Sequence, residues 1–198
     1  MAYDLAGPAE PRAGAVLLHP HPDFGGDRHN LVVDALYRAL PAEGVTAVRF
    51  DFPSADPELA RRATVGALDP LAAHVSAGAP LFLAGYSYGA DIALTVTDER
   101  LAGWFLVAPP LAFLPARRLT ARAEPRPKAV VVPEHDQFSV PGRTTEATQA
   151  WLNTTLTTIP GGDHFLVGHT ALVVEECLRF VATLRVLCRK YEPERMDG

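Results

Sequence analysis

Short apolar runs alternate with amphipathic segments along this chain. Six runs rich in Val, Leu, Ile, Ala and Phe are bounded by Gly, Pro or polar residues, which predicts strands over residues 15–19, 46–52, 81–84, 101–108, 129–132 and 156–159. Between them, apolar residues recur at helical spacing, which predicts helices over residues 31–40, 57–78, 141–151 and 165–189, and another that begins just after Ser87. This alternation predicts an α/β fold with a mostly parallel central sheet and helices on both faces.

The segments outside this pattern refine the prediction. Residues 1–14 contain two glycines and two prolines and are expected to form at most one short edge strand. Asn30 is a plausible N-cap for the first helix. The second helix is expected to break at Gly66 or Pro70. Residues 111–127 are rich in Pro and Arg, which indicates an exposed irregular connector.

Length and composition indicate one domain, residues 1–198, with enough apolar residues for a full core. The formal net charge is −5 and no basic run stands out, which argues against nucleic acid or an anionic membrane as a partner. Cys177 and Cys188 would lie about 16 Å apart on one helix, too far for a disulfide. With no signal-peptide pattern and no apolar stretch long enough to span a bilayer, we expect a cytoplasmic protein.

One stretch, Gly85-Tyr86-Ser87-Tyr88-Gly89, joins the third predicted strand to a helix. A serine at such an abrupt turn is held in a strained backbone conformation that exposes its hydroxyl. The strand and helix come so close that the positions two before and two after the serine must lack bulk, and both are glycine here. The pattern therefore predicts that Ser87 is a nucleophile.

A serine nucleophile needs a base, and the base needs an acid that orients it. His164 follows the last predicted strand, where a base is expected, whereas His169 would fall inside the final helix. The acid is expected after the 129–132 strand, where Glu134 and Asp136 are both available and Asp136 is better placed. Asp163 is interpreted as a solvated charge.

The negative oxygen of a tetrahedral intermediate needs two N–H donors. Tyr88, directly after the serine, is expected to supply one. The second is expected from the loop His19-Pro-His-Pro-Asp-Phe-Gly-Gly, where the prolines have no N–H, so that His21 is the first candidate and Asp23 or Phe24 are alternatives. The two histidines of this loop lack a clear third ligand, so no metal site is predicted.

Together these residues resemble the α/β-hydrolase superfamily, in particular its small bacterial members without a cap. The resemblance covers roughly residues 15–185 and is carried by His19-Pro-His-Pro…Gly25-Gly26, Asn30, Gly85-Tyr-Ser-Tyr-Gly89, Asp136 and Gly162-Asp-His-Phe165. It implies a triad of Ser87, Asp136 and His164. Two departures are a short loop at residues 51–56 and the loss or shortening of the N-terminal antiparallel strands. The superfamily includes esterases, thioesterases, lactone hydrolases, amidases and cofactor-free peroxidases, so the fold does not select the substrate.

The function expected is that of a serine hydrolase that cleaves a small ester or thioester through an acyl-enzyme, without a cofactor. Its pocket is expected to be shallow, with walls from Phe24, Tyr86, Phe138 and Phe165, and also from Tyr88. A binding protein that kept this fold and lost catalysis is the alternative, and it would be expected to lack a complete triad.

Overall fold

The computed structural model describes residues 2–190 and contains one seven-stranded sheet. The strands are β1 (Tyr3–Ala6), β2 (Ala13–Leu18), β3 (Val45–Phe50), β4 (Leu81–Tyr86), β5 (Leu101–Val107), β6 (Lys128–Pro133) and β7 (Thr154–Ile159). Their order across the sheet is β1-β3-β2-β4-β5-β6-β7. β1 pairs antiparallel with β3 at one edge, and all other neighbours are parallel. The predicted sheet and its single short N-terminal edge strand are therefore confirmed.

Five α-helices cover the sheet, and their ranges are α1 (Leu31–Ala39), α2 (Pro57–Ala72), α3 (Tyr88–Ala93), α4 (Pro141–Thr148) and α5 (Thr170–Lys190). Short 3₁₀ turns lie at Pro22–Phe24, Leu40–Glu43, Ala116–Arg118 and Thr120–Ala123. Asn30 caps α1 as predicted, because its side chain accepts a hydrogen bond from the Val32 N–H.

Two apolar cores lie on opposite faces of the sheet. On one face, α2 and α3 pack with Leu68, Leu71 and Ile92 among the buried residues. On the other face, α1 and α5 pack with Val33, Leu36, Phe180 and Leu184. The central strands β2 and β4 are buried along their whole length, which is why their sequences read as continuous apolar runs rather than as alternating ones.

The expected break in α2 does not occur. The helix runs through Gly66 and Pro70 and ends at Ala72 instead of residue 78. Its buried face includes Ala67, Leu68 and Leu71 on both sides of the proline, so packing against the sheet outweighs the one backbone hydrogen bond that Pro70 removes.

The last helix begins five residues later than predicted, at Thr170. Leu166 and Gly168 have φ angles of 56° and 80°, which end any helix that starts at residue 165. His169 therefore lies in the turn before α5 and not inside the helix. α4 is also shorter than predicted and ends at Thr148.

Within residues 2–190, no helix is both long and apolar enough to cross a membrane. The two cysteines lie on α5 and are not joined by a disulfide.

Candidate active site

Ser87 occupies a strained turn between β4 and α3. Its φ and ψ angles are 53° and −120°, a region that non-glycine residues rarely adopt. A Cβ atom built on Gly85 would overlap the backbone carbonyl of Gly89, and one built on Gly89 would overlap the carbonyl of Leu18. The two glycines therefore let α3 pack directly on β4 and β2, as the sequence predicts, and this contact holds the serine at the carboxyl end of the sheet.

His164 and Asp136 complete a chain of hydrogen bonds that starts at the Ser87 hydroxyl. Ser87 Oγ lies 3.0 Å from His164 Nε2, and His164 Nδ1 lies 2.7 Å from Asp136 Oδ2. When Nδ1 carries the ring proton, it donates a hydrogen bond to the Asp136 carboxylate, and Nε2 is left free to accept a hydrogen bond from the serine hydroxyl. All three side chains are buried. The arrangement can activate the serine as a nucleophile.

Two further contacts fix the acid and the base. The Asp136 Oδ1 atom accepts hydrogen bonds from the Phe138 N–H at 2.8 Å and the Ser139 N–H at 2.7 Å. The Tyr86 hydroxyl donates to the backbone carbonyl of His164. Burial raises the pKa of Tyr86 well above its usual value, so this hydroxyl stays protonated and keeps donating.

The rival carboxylates have other partners. Glu134 is exposed, and its Oε2 atom accepts from the Gly161 N–H at 2.8 Å. Asp163 is also exposed and accepts from the N–H groups of Phe165 and Leu166, which closes the turn after His164. The structure thus brings Asp136, and neither Glu134 nor Asp163, to the imidazole. That Asp136 acts in catalysis stays a prediction.

The N–H groups expected to bind an oxyanion are available. Among the hydrogen bonds formed within residues 2–190, none uses the backbone N–H of His21 or of Tyr88. The alternatives in the same loop are engaged, because the Phe24 N–H donates to the His21 carbonyl and the Asp23 N–H donates to His21 Nδ1. The geometry therefore favours His21 over Asp23 and Phe24, and the assignment of His21 and Tyr88 remains a prediction.

His19 has a structural position. Its Nε2 atom accepts from the Phe52 N–H at 2.8 Å, and its Nδ1 lies 2.6 Å from the Pro20 carbonyl. Burial lowers the pKa of His19, so the ring is neutral and both nitrogens are occupied. This ring joins the loop after β2 to the loop after β3. Among the described residues, no three His, Cys, Asp or Glu side chains come together in a group that could hold a metal ion.

A cavity of about 480 Å³ opens above Ser87 and His164. The predicted wall residues Phe24, Tyr86, Phe138 and Phe165 all line it. Its full lining also includes Pro20, His21, Gly25, Gly26, Asn30, Pro110 and Phe113. This volume is within the usual range for small-molecule sites.

The expectation that Tyr88 forms part of the wall is wrong. Its side chain is buried, because its hydroxyl donates to the Ala55 carbonyl at 2.8 Å and draws the ring under the loop after β3. The centroid of the His21 ring, which lines the cavity, lies 4.7 Å from that of the Tyr88 ring, which does not.

Phe113 is a wall residue that the sequence analysis did not find. It comes from the connector between β5 and β6, and its ring lies 5.4 Å from the His21 ring. One signal was present in the sequence, since Phe113 is the only aromatic residue in the segment 111–127 and follows shortly after the end of a strand.

Comparison with known proteins gives structural relatives. No protein-family profile matches the sequence, and no curated protein matches it significantly. An α/β serine hydrolase homologue from Coxiella burnetii is 25% identical, with 90% of each chain covered and a TM-score of 0.75. A protein of unknown function from Agrobacterium tumefaciens is 26% identical, with 97% of this chain and 94% of that chain covered and a TM-score of 0.76.

The sheet order, the strained serine and these relatives agree. This chain is a small member of the α/β-hydrolase superfamily. XC6422 from Xanthomonas campestris, an α/β serine hydrolase without a lid, has the same fold at 22% identity, with 96% of this chain and 89% of that chain covered and a TM-score of 0.71. In the present α/β hydrolase, the connector between β5 and β6 contains only two short 3₁₀ turns, at Ala116–Arg118 and Thr120–Ala123.

Proposed function

We propose that this α/β hydrolase cleaves a small ester or thioester through a covalent acyl-enzyme. The observation that carries the proposal is the unbroken chain of hydrogen bonds from Ser87 Oγ through His164 to Asp136, with the serine in a strained turn under an open cavity. The alternative, a binding protein without catalysis, is not favoured, because a lost activity leaves no reason to retain all three side chains in contact.

In the proposed reaction, Ser87 Oγ attacks the carbonyl carbon of the substrate while His164 Nε2 takes the hydroxyl proton. Asp136 stabilises the imidazolium ion that forms. The N–H groups of His21 and Tyr88 donate to the carbonyl oxygen as it becomes negative. His164 then protonates the leaving group, and a water molecule activated by the same imidazole releases the acid. These groups supply every proton and charge that the reaction needs, so the proposal includes no cofactor.

The substrate is proposed to carry a short acyl group, from acetyl to butyryl. The cavity is lined by four phenylalanine rings, and the connector between β5 and β6 forms no long apolar lid of the kind that interfacial lipases use. Hydrolysis of a p-nitrophenyl ester series tests this. We expect kcat/KM to be highest between acetate and butyrate, and a steady rise through the decanoate contradicts a short acyl site.

Labelling with a fluorophosphonate tests the nucleophile. Peptide mapping is expected to find the adduct on Ser87 alone, and the Ser87→Ala variant is expected to lose both labelling and p-nitrophenyl acetate hydrolysis while still folding. An active, folded protein whose Ser87 stays unmodified contradicts the proposal.

A further inference from the structure

We propose that Phe138 and Phe165 form a leaving-group site that selects uncharged alcohols with an aromatic ring. This inference rests on the proposed function and names the part of the substrate that the acid–base residue handles. It is independent of the acyl-chain preference, which concerns the other half of the substrate.

The position of the leaving group follows from the chemistry. When the tetrahedral intermediate collapses, the bond between the carbonyl carbon and the leaving oxygen breaks, and its electron pair stays on that oxygen. The oxygen takes the proton from His164 Nε2 and departs as a neutral alcohol. It must therefore lie within hydrogen-bond reach of Nε2, and its substituent must occupy the space beside the imidazole.

Two phenylalanine rings border that space. The Phe138 ring centroid lies 4.8 Å from that of His164, and the Phe165 centroid lies 6.0 Å from it in an edge-to-face arrangement. Phe24 and Phe113, in contrast, lie beside His21, at the side of the proposed oxyanion N–H groups. The cavity therefore has one aromatic group for each half of an ester.

Phe138 and Phe165 are exposed although they are large and apolar. Each keeps more than half of its surface open, 56% and 57%, and both line the cavity. Because these exposed rings lie beside His164 and are not part of either apolar core, they are available to contact a ligand. Flat rings gain about 0.5–1.5 kcal/mol from offset or edge-to-face contacts beyond the area that they bury.

The backbones that carry these rings are fixed by carboxylates. The Phe138 N–H donates to Asp136 Oδ1 at 2.8 Å, and the Phe165 N–H donates to Asp163 Oδ1 at 3.0 Å. The carboxylate that orients the base thus also holds one ring of the site. A site held in place before binding loses less entropy when the ligand arrives.

The lining selects against charge. Among residues 2–190, no Asp, Glu, Lys or Arg side chain lines the cavity. Beyond the rings, Val140 and Val167 are exposed on the same two loops and extend the apolar surface outward. An ionised leaving group would lose hydration here without gaining a partner.

Two acetate esters of similar size test the proposal. Benzyl acetate and cyclohexylmethyl acetate share the acyl group and release primary alcohols of similar acidity, so they differ mainly in the planarity and electronic character of the ring. We expect the wild-type enzyme to prefer the benzyl ester in kcat/KM by about threefold to tenfold. The Phe138→Leu and Phe165→Leu variants are each expected to reduce that ratio toward one.

Phe24→Leu is the matched control, because it removes a ring of the same cavity that lies beside His21, whereas Phe138 and Phe165 lie beside His164. It is expected to keep the benzyl preference. The deciding case is an enzyme that a fluorophosphonate labels at Ser87 and that hydrolyses p-nitrophenyl acetate. If this enzyme shows equal kcat/KM for the two esters, or hydrolyses neither, the inference is overturned and the proposed function stays intact. An equal loss of preference in Phe24→Leu also overturns the inference. Absence of labelling at Ser87 rejects the proposed function itself.

Discussion

Two aspartates near Ser87, Asp136 and Asp91, have buried carboxyl groups with different surroundings. Asp136, in the loop after β6, has three hydrogen-bond donors, from His164, Phe138 and Ser139. Asp91, one helical turn after Ser87 on α3, is fully buried, and its Oδ1 accepts from the Leu111 N–H at 3.1 Å. Its Oδ2 has no hydrogen-bond partner among residues 2–190.

The two carboxyl groups are buried to a similar extent, so the difference between them lies in their hydrogen-bond donors. Burial raises the pKa of Asp91 to about 7, and the nearby N–H groups of Leu111 and Phe113 only partly oppose this shift. A carboxyl group that is half protonated near neutral pH cannot serve as a constant partner for an imidazolium ion. Asp136 has donors on both oxygens and bonds directly to the imidazole of His164.

Replacing Asp136, the carboxyl group with more hydrogen-bond donors, is expected to have the largest effect on activity. Asp136→Asn removes the anion that orients His164 and favours the wrong tautomer, so ester hydrolysis is expected to fall by on the order of 10³–10⁴ in kcat/KM. Steady-state kinetics with p-nitrophenyl acetate measures this. Glu134→Gln is the control, and it is expected to change the rate by less than about threefold because the exposed Glu134 carboxylate bonds to the Gly161 N–H and lies 4.0 Å from His135 Nε2, away from the imidazole of His164. The reverse ranking contradicts the assignment of the acid.

Replacing Asp91 is expected to change the pH dependence of stability. Since its pKa is raised from 3.8 to about 7 in the folded state, the folded protein binds the proton more tightly than the unfolded chain. Asp91 therefore makes the free energy of unfolding fall as pH rises from about 4 to 7, and this contribution is on the order of 3 kcal/mol.

Urea unfolding at pH 5 and pH 8 measures this contribution. Asp91→Asn is neutral at both pH values, so its stability relative to wild type is expected to increase between them, and any constant cost of the buried amide cancels in the difference. Ester hydrolysis is expected to change by less than about threefold, since only the backbone N–H of Asp91 bonds to Ser87, and the substitution leaves that N–H in place. If the free energy of unfolding changes with pH in Asp91→Asn as it does in the wild type, the Asp91 carboxyl group is not the source of that change.

The smallest effect is expected for Asp163, a third carboxylate close to the site. Asp163→Asn keeps a side-chain oxygen that can accept from the Phe165 and Leu166 N–H groups. We expect a loss of less than about 0.5 kcal/mol in stability and less than about twofold in kcat/KM. Thermal unfolding and the p-nitrophenyl acetate assay measure both. A loss close to that of Asp136→Asn shows that this carboxylate, though exposed, contributes to orienting His164.

The sequence predicts the parts of this molecule that depend on local pattern. Buried parallel strands read as apolar runs, and the Gly-x-Ser-x-Gly turn, His164 and Asp136 all follow predicted strands, so the order of the sheet brings them together. The late start of α5 could not be predicted, because Leu166 has a positive φ angle and leucine is not a residue type that indicates this conformation. The buried position of Tyr88 depends on a hydrogen bond from its hydroxyl to the Ala55 carbonyl. The position of Phe113 in the cavity wall depends on the path of the irregular connector between β5 and β6. Neither feature produces a periodic pattern in the sequence.

The close contact of α3 with β4 and β2 has a consequence for engineering this enzyme. In a mutant library that varies residues 85–89, most members replace Gly85 or Gly89, and the Cβ atom that they add there overlaps a backbone carbonyl. Positions 24, 113, 138 and 165 carry exposed rings on loops, and substitutions there alter the cavity without entering either core. To change the range of substrates, substitutions are therefore best made at the loop positions, while the turn around Ser87 is left unchanged.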